Sequence, residues 1–415
     1  MSETYDRQVQ YAQNYIPWGS STGSKAPSMR PYDPAAVVRG KGCRIWDIEG
    51  REFIDFRNGL GPVTLGYAYP EINAAAAEQL EQGVVFGHPS VLEAKLAELI
   101  CEVIPCAEMV RFLKTGGEAV AATLRIARGY TGKDHVIQIG YNGWLNSLAV
   151  NGCVLPGMVG TTPKSGTPAC LSALHHAAGW NDVEGITKIF DDCSDNVAAI
   201  VIASTYDNVE AGKTFYPTMR KLADERGALL IFDEIVTGFR IALGGAQEYF
   251  GITPDLAVFS KGIANGFPLS VFCGKREVMM QCAPDGGAVI SSTFAGDAVS
   301  LAAAIATIGV YRKERVIEHF EKYGGILWDA LAALFEKYDL PLRVCGYRAF
   351  PAYRPKDETA PAGIANRFIT KCFQYGISTY TVFYISYSHK MADIEEAIGK
   401  IELACKDLAE ELRQN

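Results

Sequence analysis

Two charged residues each follow a short apolar run, and their spacing is the feature of this sequence most directly linked to chemistry. The run 228–232 (Ala-Leu-Leu-Ile-Phe) leads into Asp233, and the run 256–259 leads through Ser260 into Lys261, 28 positions after Asp233. Each run has the length and composition of a buried strand. In an open α/β sheet, ligands bind in the crevice outside the carboxyl ends of the strands. The sequence therefore predicts a carboxylate and an amine at one crevice.

A carboxylate and a lysine in one crevice are the groups that pyridoxal 5'-phosphate (PLP) chemistry requires. The Lys261 amine can form a Schiff base with the cofactor aldehyde, and the Asp233 carboxylate can keep the pyridine nitrogen protonated so that the ring accepts electrons. Either residue alone is equally typical of a strand end where the chain re-enters water. Together they predict PLP as cofactor, with Lys261 and Asp233 as catalytic and cofactor-binding residues.

Apolar runs alternate with amphipathic segments from about residue 70 to residue 273, the pattern of βαβ units around a mostly parallel sheet. The predicted strands are Val110–Leu113, Val136–Ile139, Ala198–Ala203, Ala228–Phe232 and Leu256–Phe259. Two helices are predicted between them, Glu118–Tyr130 and Pro217–Arg226, the second with proline in its first turn.

The two ends of the chain have a different pattern. Residues 43–56 predict two short strands around the turn Glu49-Gly50. After about residue 310 the sequence becomes helical and charged, and segments 342–353 and 379–387 are then typical of strands. A final amphipathic helix is predicted from Met391 to about Arg413.

Composition narrows the class of protein. The chain has 415 residues and 48% hydrophobic content, enough for a large core and more than one domain. The net charge of −8 is spread along the chain, so we expect no nucleic-acid partner. The longest apolar stretch, 298–310, is too short to cross a bilayer, and residues 1–19 lack the layout of a signal peptide. We therefore expect no membrane partner.

Cysteine and histidine usage argues against disulfides and metals. Eleven cysteines are scattered without Cys-x-x-Cys spacing, which favours reduced thiols and a cytoplasmic protein. The six histidines show no metal-ligand spacing, and the neighbours His175 and His176 would point to different faces of a helix. No metal site is predicted.

A glycine turn at residues 112–119 (Phe-Leu-Lys-Thr-Gly-Gly-Glu-Ala) links a predicted strand to a predicted helix. Because a helix N-terminus offers unpaired N–H groups and the positive end of the dipole, it suits a phosphate dianion. Gly116 and Gly117 let the backbone approach closely, and the Thr115 hydroxyl can add a contact. An ordinary βα turn would have the same composition.

Three strings of residues are similar to a known family: 233–240 (Asp-Glu-Ile-Val-Thr-Gly-Phe-Arg), 254–256 (Pro-Asp-Leu) and 260–262 (Ser-Lys-Gly). They resemble the class III (fold-type I) PLP-dependent aminotransferases, above all the glutamate-1-semialdehyde aminomutase branch, and the likeness extends along nearly the whole chain. It implies an α/β fold with a mostly parallel sheet in a large domain, and a smaller α+β domain built from both chain ends. The implied boundaries are 1–65 and 311–415 for the small domain and 66–310 for the large, PLP-binding one.

The resemblance also implies roles for single residues. Tyr141 matches the tyrosine that stacks on the cofactor ring, with Asn142 in place of the family's histidine, and Ile235 packs on the other ring face. Thr293 matches a threonine that reaches the phosphate of the neighbouring subunit, which implies a homodimer with shared active sites. Thr293 could instead cap the helix that starts near residue 298.

Substrate recognition departs from the family. Lys25 stands at or near the place of a carboxylate-binding arginine, and a lysine lacks the planar fork that grips a carboxylate. The glutamate of the family's Val-Glu-Pro is Ala203, and residues 380–389 contain neither glutamate nor arginine. The candidate substrate residues are Trp18, Ser20, Lys25, Trp144 and Tyr380, and except for Lys25 they are neutral, as suits hydroxyl-rich or bulky compounds. The same aromatic residues could instead be packing residues.

The resemblance implies an aminotransferase that moves an amino group from a small-molecule donor to a carbonyl acceptor, the latter a sugar-like or other neutral polar metabolite. Three alternatives stay open: an intramolecular 1,2-aminomutase, an amine epimerase or racemase, and a binding protein without activity. The last is the weakest because the pair Asp233 and Lys261 is intact.

Overall fold

The structure is a computed structural model that describes residues 3–145 and 166–414. The chain divides into two compact units, one formed by 1–69 with 318–415 and the other by 70–317. The strands are β1 Val37–Lys41, β2 Arg44–Asp47, β3 Glu52–Asp55, β4 Met109–Leu113, β5 His135–Ile139, β6 His175–Ala178, β7 Val197–Ala203, β8 Leu229–Asp233, β9 Leu256–Phe259, β10 Ser270–Gly274, β11 Leu342–Tyr347, β12 Phe350–Pro355 and β13 Ile377–Ser378.

Helices connect these strands. The α-helices are α1 Glu3–Tyr15, α2 Pro70–Gln82, α3 Val91–Val103, α4 Gly116–Thr131, α5 Ala169–Ser172, α6 Val183–Asp192, α7 Gly212–Arg226, α8 Ala246–Phe250, α9 Arg276–Met279, α10 Ala298–Glu314, α11 Val316–Lys337, α12 Ile364–Gln374 and α13 Met391–Gln414. Short 3-10 turns cover Pro17–Gly19, Gly23–Lys25, Lys261–Ala264 and Met280–Cys282. Within 3–145 and 166–414, no helix has the length and apolar character needed to cross a membrane.

The unit 70–317 is built on a seven-stranded sheet with the order β4-β10-β9-β8-β7-β5-β6. Strands β5 to β9 pair with one another in parallel. Strand β10 runs antiparallel to both β9 and β4. The prediction of a mostly parallel α/β sheet is confirmed. All five predicted strands are present, with ends that differ from the prediction by at most one residue.

Helix α4 forms the core on one face of this sheet. Its inward side carries small residues such as Ala119, Ala122 and Ala127, which are buried against β7 to β10. Alanines allow the helix axis to approach the strands closely, and larger side chains such as Leu124 and Ile126 fill the remaining space. Complete burial of each large aliphatic side chain contributes about 1.5–3 kcal/mol. The packing fixes the N-terminus of α4 at one edge of the sheet.

The predicted start of helix α7 is wrong. The helix begins at Gly212, so Pro217 lies in its interior instead of its first turn. A proline there removes one backbone hydrogen bond. The preceding turn is held because Phe215 and Tyr216 are buried, each in edge contact with Trp180 at centroid distances of 4.7 and 5.4 Å. Tertiary packing outweighs the local signal.

The unit of the two chain ends contains a four-stranded sheet with the order β1-β2-β3-β13 and the hairpin β11–β12. The two strands predicted around Glu49-Gly50 are β2 and β3. The prediction of a strand at 379–387 is wrong: the strand is Ile377–Ser378, which pairs in parallel with β3, and within 379–387 Val382 forms one isolated bridge with Ala352. Two consecutive amides of this segment donate to carbonyls in different parts of the chain. The Phe383 amide donates to the Pro351 carbonyl at 2.8 Å, and the Tyr384 amide donates to the Phe56 carbonyl at 2.9 Å.

Candidate active site

Two neighbouring strands bring Asp233 and Lys261 to the same edge of the sheet. Asp233 is the last residue of β8 and pairs in register with Val258 of β9, and Lys261 follows β9 by two residues. Lys261 opens a 3-10 turn with φ +44°, a left-handed conformation that is uncommon outside glycine. Backbone strain of this kind persists where the surrounding structure fixes it, and it is typical of functional residues.

Burial moves the pKa values of this pair toward each other. It raises the pKa of Asp233 to about 6, although hydrogen bonds and the charge of Lys261 oppose the change. Burial lowers the pKa of Lys261 to about 8, with Asp233 opposing the change and Arg240 adding to it. An amine with this pKa has a substantial neutral fraction near neutral pH, which is the form that acts as nucleophile and base.

Two donors hold the Asp233 carboxylate. The Ile235 amide donates to Oδ1 at 3.1 Å, and the Asn142 side-chain amide donates to Oδ2 at 3.1 Å. Asn142 is completely buried. From the sequence, Asn142 was only a replacement for a histidine, and its contact with Asp233 spans 91 positions, so no local signal could have revealed it.

Helix α4 presents its N-terminus at this edge, with Thr115 as N-cap. The Thr115 hydroxyl accepts from the Glu118 amide at 3.4 Å and donates to the Glu118 carboxylate at 3.1 Å. Both of these partners come from the helix itself. The amides of Gly116 and Gly117 come first in the helix and have no intrahelical acceptor, so a bound phosphate would depend mainly on them.

The glycines around this turn leave a cradle that side chains would fill. A Cβ on Gly116 would overlap Cδ1 of Ile235, and a Cβ on Gly143 would lie 3.3 Å from the Gly117 Cα atom. Ile235 therefore packs directly over the first turn of α4, beside the Asp233 to which its amide is bonded. A phosphate cradle, a buried carboxylate and a half-buried lysine at one sheet edge fit the groups of PLP.

Tyr141 and Trp144 lie in the loop that follows β5 at Gly140. Tyr141 is 54% exposed, and burial together with the Asp233 charge raises its pKa, which places the phenol near that carboxylate. Trp144 is 79% exposed. Tyr141 is thus partly exposed and feels the charge of Asp233, whereas Trp144 is among the most exposed aromatic residues in the described part of the chain.

Thr293 is exposed in the turn that precedes α10. The interpretation of Thr293 as a helix cap is wrong, because Asp297 is the N-cap and accepts from the Val299 and Ser300 amides at 3.1 and 3.3 Å. Lys114 forms an ion pair with the same Asp297. The turn with Thr293 is therefore anchored to the residue that follows β4.

The other candidate substrate residues lie in the unit of the chain ends. Trp18 is 70% exposed with φ +67°, and its ring covers Gly23, where a Cβ would come within 2.6 Å. Ser20 accepts from the Thr22 amide at 3.5 Å, and Lys25 is exposed. These residues form a loop stiffened by one tryptophan ring.

Tyr380 is 41% exposed and has a neighbour that the sequence analysis missed. The Arg57 guanidinium lies 5.6 Å from the centre of the Tyr380 ring and donates to the Ser24 carbonyl at 2.5 Å. Arg57 is thus a cation between the Trp18–Lys25 loop and Tyr380. The available signal was its position directly after Asp55-Phe56.

Comparisons with known proteins agree with this geometry. The family model described as aminotransferase class-III matches residues 27–404. A glutamate-1-semialdehyde 2,1-aminomutase 2 of Brevibacillus brevis is 35% identical over 335 residues, 80% of this chain and 78% of that protein. A glutamate-1-semialdehyde 2,1-aminomutase of Methanosarcina acetivorans is 33% identical over 404 residues, 93% and 95% of the two chains.

Solved structures show the same fold. An omega-transaminase from Sphaerobacter thermophilus superposes with a TM-score of 0.87 at 26% identity, covering 97% of each chain. A structure described as a transaminase with PLP bound superposes with a TM-score of 0.90 at 25% identity, covering 100% of this chain and 99% of the other. The sequence likeness and the fold likeness both extend over nearly the full length.

Proposed function

The chain belongs to the class-III aminotransferase family, PLP-dependent enzymes, and from this premise we propose that Lys261 and Asp233 carry out transfer of an amino group from a small-molecule donor to a carbonyl acceptor. One observation carries the proposal: Asp233 is buried and Lys261 half-buried at adjacent strand ends, with pKa values of about 6 and 8. PLP supplies an aldehyde carbon and an electron-accepting ring when bound.

The chain's own groups have distinct tasks in this proposal. The neutral Nζ of Lys261 is first a nucleophile and then the base that takes and returns the proton on the substrate carbon bearing the amine. With PLP bound, the Asp233 carboxylate would accept the hydrogen bond of a protonated ring nitrogen, and Asn142 would keep that carboxylate oriented. Gly116 and Gly117 offer amides to the phosphate, Tyr141 and Ile235 cover the ring, and Thr115 caps the helix.

The proposed acceptor is a neutral, hydroxyl-rich carbonyl compound such as an oxidised sugar. Residues 203 and 380–389 lack the acidic and arginine side chains by which relatives handle amino-acid carboxylates. The exposed aromatic residues Trp18, Trp144 and Tyr380 suit ring faces, and the half-buried Ser20 offers a hydroxyl group.

An intramolecular aminomutase is the second candidate, and two observations favour it. The curated relatives described above are named glutamate-1-semialdehyde 2,1-aminomutases. Arg57 also places a guanidinium beside Tyr380, with one of its N–H groups bonded to the Ser24 carbonyl. A planar guanidinium grips carboxylates well, so Arg57 would be the group that binds an acidic substrate.

The deciding experiment loads the enzyme with amine from a donor and compares how fast different carbonyl compounds discharge it, followed by the cofactor spectrum. We expect a sugar aldehyde to discharge the enzyme faster than glutamate-1-semialdehyde or an ω-keto acid. Faster discharge by the acids would overturn the choice of acceptor and keep the transaminase. Discharge by neither class would favour the aminomutase or the epimerase.

A variant pair sharpens this test. For a neutral acceptor, Arg57→Gln should leave its KM nearly unchanged, whereas for an acidic substrate the KM should rise about tenfold or more because a charged hydrogen bond is lost. The matched control is Arg39→Gln, since the Arg39 guanidinium also covers an aromatic ring, lying 3.6 Å from the centre of Trp46.

A homodimer belongs to the same proposal, with Thr293 reaching the phosphate held by the neighbouring subunit. The support is an exposed apolar surface on two adjoining segments, which meet where the Ala298 amide donates to the Val84 carbonyl at 2.8 Å. Its large exposed side chains are Val84, Val85, Phe86, Val91, Val289 and Phe294. Exposed apolar side chains on adjoining segments are typical of an interface.

A further inference from the structure

Two histidines and a cysteine converge in the unit 70–317, away from the residues discussed so far. One ligand atom of each of His135, His176 and Cys193 lies within 4.8 Å of the other two. Nδ1 of His135 is 2.9 Å from Nε2 of His176, and the Cys193 Sγ atom is 3.4 Å from the same Nε2. All three residues are half-buried.

Three secondary-structure elements, β5, β6 and α6, position this cluster. His135 is the first residue of β5, His176 the second of β6, and Cys193 the residue that ends α6. Strands β5 and β6 pair in parallel with Ile137 opposite His176, and the Cys193 amide donates to the Ile189 carbonyl at 3.0 Å. The prediction that His175 and His176 lie on a helix is wrong, and the real strand separates them more cleanly, because neighbouring side chains of a strand point to opposite faces.

The neighbouring His175 has a hydrogen-bond partner for each of its two ring nitrogens. Its Nδ1 lies 2.9 Å from the Leu171 carbonyl, and its Nε2 lies 3.2 Å from the Arg128 guanidinium. The guanidinium can only donate, so Nε2 accepts and the Nδ1 hydrogen goes to the carbonyl. Burial and the Arg128 charge lower the pKa of His175 to about 4, which keeps it neutral. Both of its nitrogens are therefore in use.

We propose that His135, His176 and Cys193 form a binding site for a zinc-like divalent cation, with a fourth coordination position left for water or a carboxylate. In tetrahedral zinc sites the Zn–N distance is about 2.0–2.1 Å and the Zn–S distance about 2.3 Å, which puts ligand atoms about 3.3–3.6 Å apart. The observed separations of 2.9 and 3.4 Å lie close to these values. One cation can engage lone pairs on all three atoms, whereas a single proton links only two of them.

The electrostatics of the cluster suit such an ion. Binding forms a Zn–S bond as the thiol proton leaves to the solvent, and two imidazoles, one thiolate and Zn²⁺ carry a net charge of +1. The negative charge of Asp192 acts on both His176 and Cys193, and its sign is opposite to that of the bound ion.

The site is separate from the cofactor residues. His135 pairs with Val197 at the start of β7, whereas Asp233 pairs with Ala203 at its end. The strand between them has seven residues, a length of about 20 Å at about 3.3 Å per residue. A bound ion would therefore tie the edge strand β6 and helix α6 to β5 without entering the chemistry.

The test is calorimetric titration of the full-length holoenzyme with Zn²⁺ in a non-chelating buffer. We expect one saturable ion per chain and release of about one proton, measured by comparing two buffers of different ionisation enthalpy. Affinity should fall by at least about 100-fold in His176→Gln and in Cys193→Ser, since losing even an outer-shell partner costs about 10–100-fold. The controls His88→Gln and Cys101→Ser change exposed residues outside the cluster and should bind like the original protein.

A measurement on the unaltered protein guards against variants that fold poorly. X-ray absorption at the zinc edge should show one sulfur at about 2.3 Å and nitrogen or oxygen ligands at about 2.0–2.1 Å. The sulfur should disappear in Cys193→Ser. A spectrum without sulfur, no saturable binding, or equal affinity in cluster and control variants would each overturn the proposal.

Discussion

Lys261 and Asp233 differ from ordinary side chains because desolvation shifts the pKa of each. The consequence for Lys261 is a pKa lowered to about 8, mainly by burial. Below that pH the ammonium form dominates and has no lone pair; above it the neutral amine dominates and can attack an aldehyde.

Capture of the cofactor by cofactor-free protein should therefore accelerate with rising pH, with a midpoint near 8. Stopped-flow absorbance after mixing with PLP at a series of pH values measures it. A midpoint near the ordinary lysine value of about 10.4 would show that the site does not perturb this amine.

Asp233 is the second residue whose environment can be tested by substitution. Asp233→Asn should lower kcat by about 100-fold or more while the protein stays folded, because a neutral amide does not stabilise a protonated pyridine nitrogen. Steady-state kinetics together with the bound-cofactor content measure the effect.

The matched variant is Asn142→Ala, which removes one donor from the Asp233 carboxylate but keeps its charge. Loss of that donor should raise the pKa of Asp233 above about 6, so the acid limb of the rate profile should move to higher pH. Near-normal activity in Asp233→Asn would make this aspartate a structural residue only.

At the scale of elements, helix α4 and the segment after β8 meet through one close contact. Gly116→Ala would push its methyl group into the Ile235 side chain, which covers the cofactor ring in our proposal. We expect a loss of PLP affinity of about tenfold or more, measured by equilibrium dialysis.

The neighbouring glycine gives the control for this contact. A Cβ on Gly117 would lie 3.4 Å from the Leu145 side chain, an ordinary contact distance, so Gly117→Ala should lose less PLP affinity than Gly116→Ala. Ile235→Val removes the clashing Cδ1 atom and should restore binding in the double variant with Gly116→Ala. Equal losses in both single variants would mean that helix propensity or backbone freedom, and not the Ile235 contact, decides.

The sequence predicts these elements well where burial alone decides. The strands before Asp233 and Lys261 are apolar on both faces, so composition and length locate them within one residue. Prediction from the sequence fails where packing between distant residues determines the bounds of an element. Helix α7 starts five residues before Pro217 because Phe215 and Tyr216 pack on Trp180, and nothing local to the proline signals that.

The same division holds for the candidate site. Asp233 and Lys261 could be placed at one edge because strand direction dictates it. The bond from Asn142 to Asp233 and the position of Arg57 beside Tyr380 could not, because they join residues that are far apart in sequence. The zinc-like cluster is the extreme case, since its three ligands come from three elements without a recognisable spacing.

At the scale of the whole molecule, the exposed apolar surface around Phe294 predicts self-association. Phe294 is 58% exposed, and a charge there would have to be desolvated in a dimer. Phe294→Asp should therefore raise the dimer dissociation constant about tenfold or more, measured by analytical ultracentrifugation over a dilution series.

A second exposed aromatic provides the control for this surface. Tyr249, 48% exposed on α8, lies outside the two apolar segments, so Tyr249→Asp should leave the association unchanged. Activity of Phe294→Asp should fall on dilution in parallel with dissociation if Thr293 acts across the interface. A monomeric original protein with full activity would contradict the shared site.

The turn that carries Lys261 connects β9 and β10, two antiparallel strands whose residues are all buried in the interior of the sheet. Local opening of a protein starts where few buried contacts hold the chain, and strands of this kind separate only when the domain unfolds as a whole. Their amide hydrogens should thus be the slowest to exchange with deuterated solvent. Because Lys261 lies in the turn between these two strands, its position should be lost only when they separate. Heat should therefore abolish turnover and the fold in a single event.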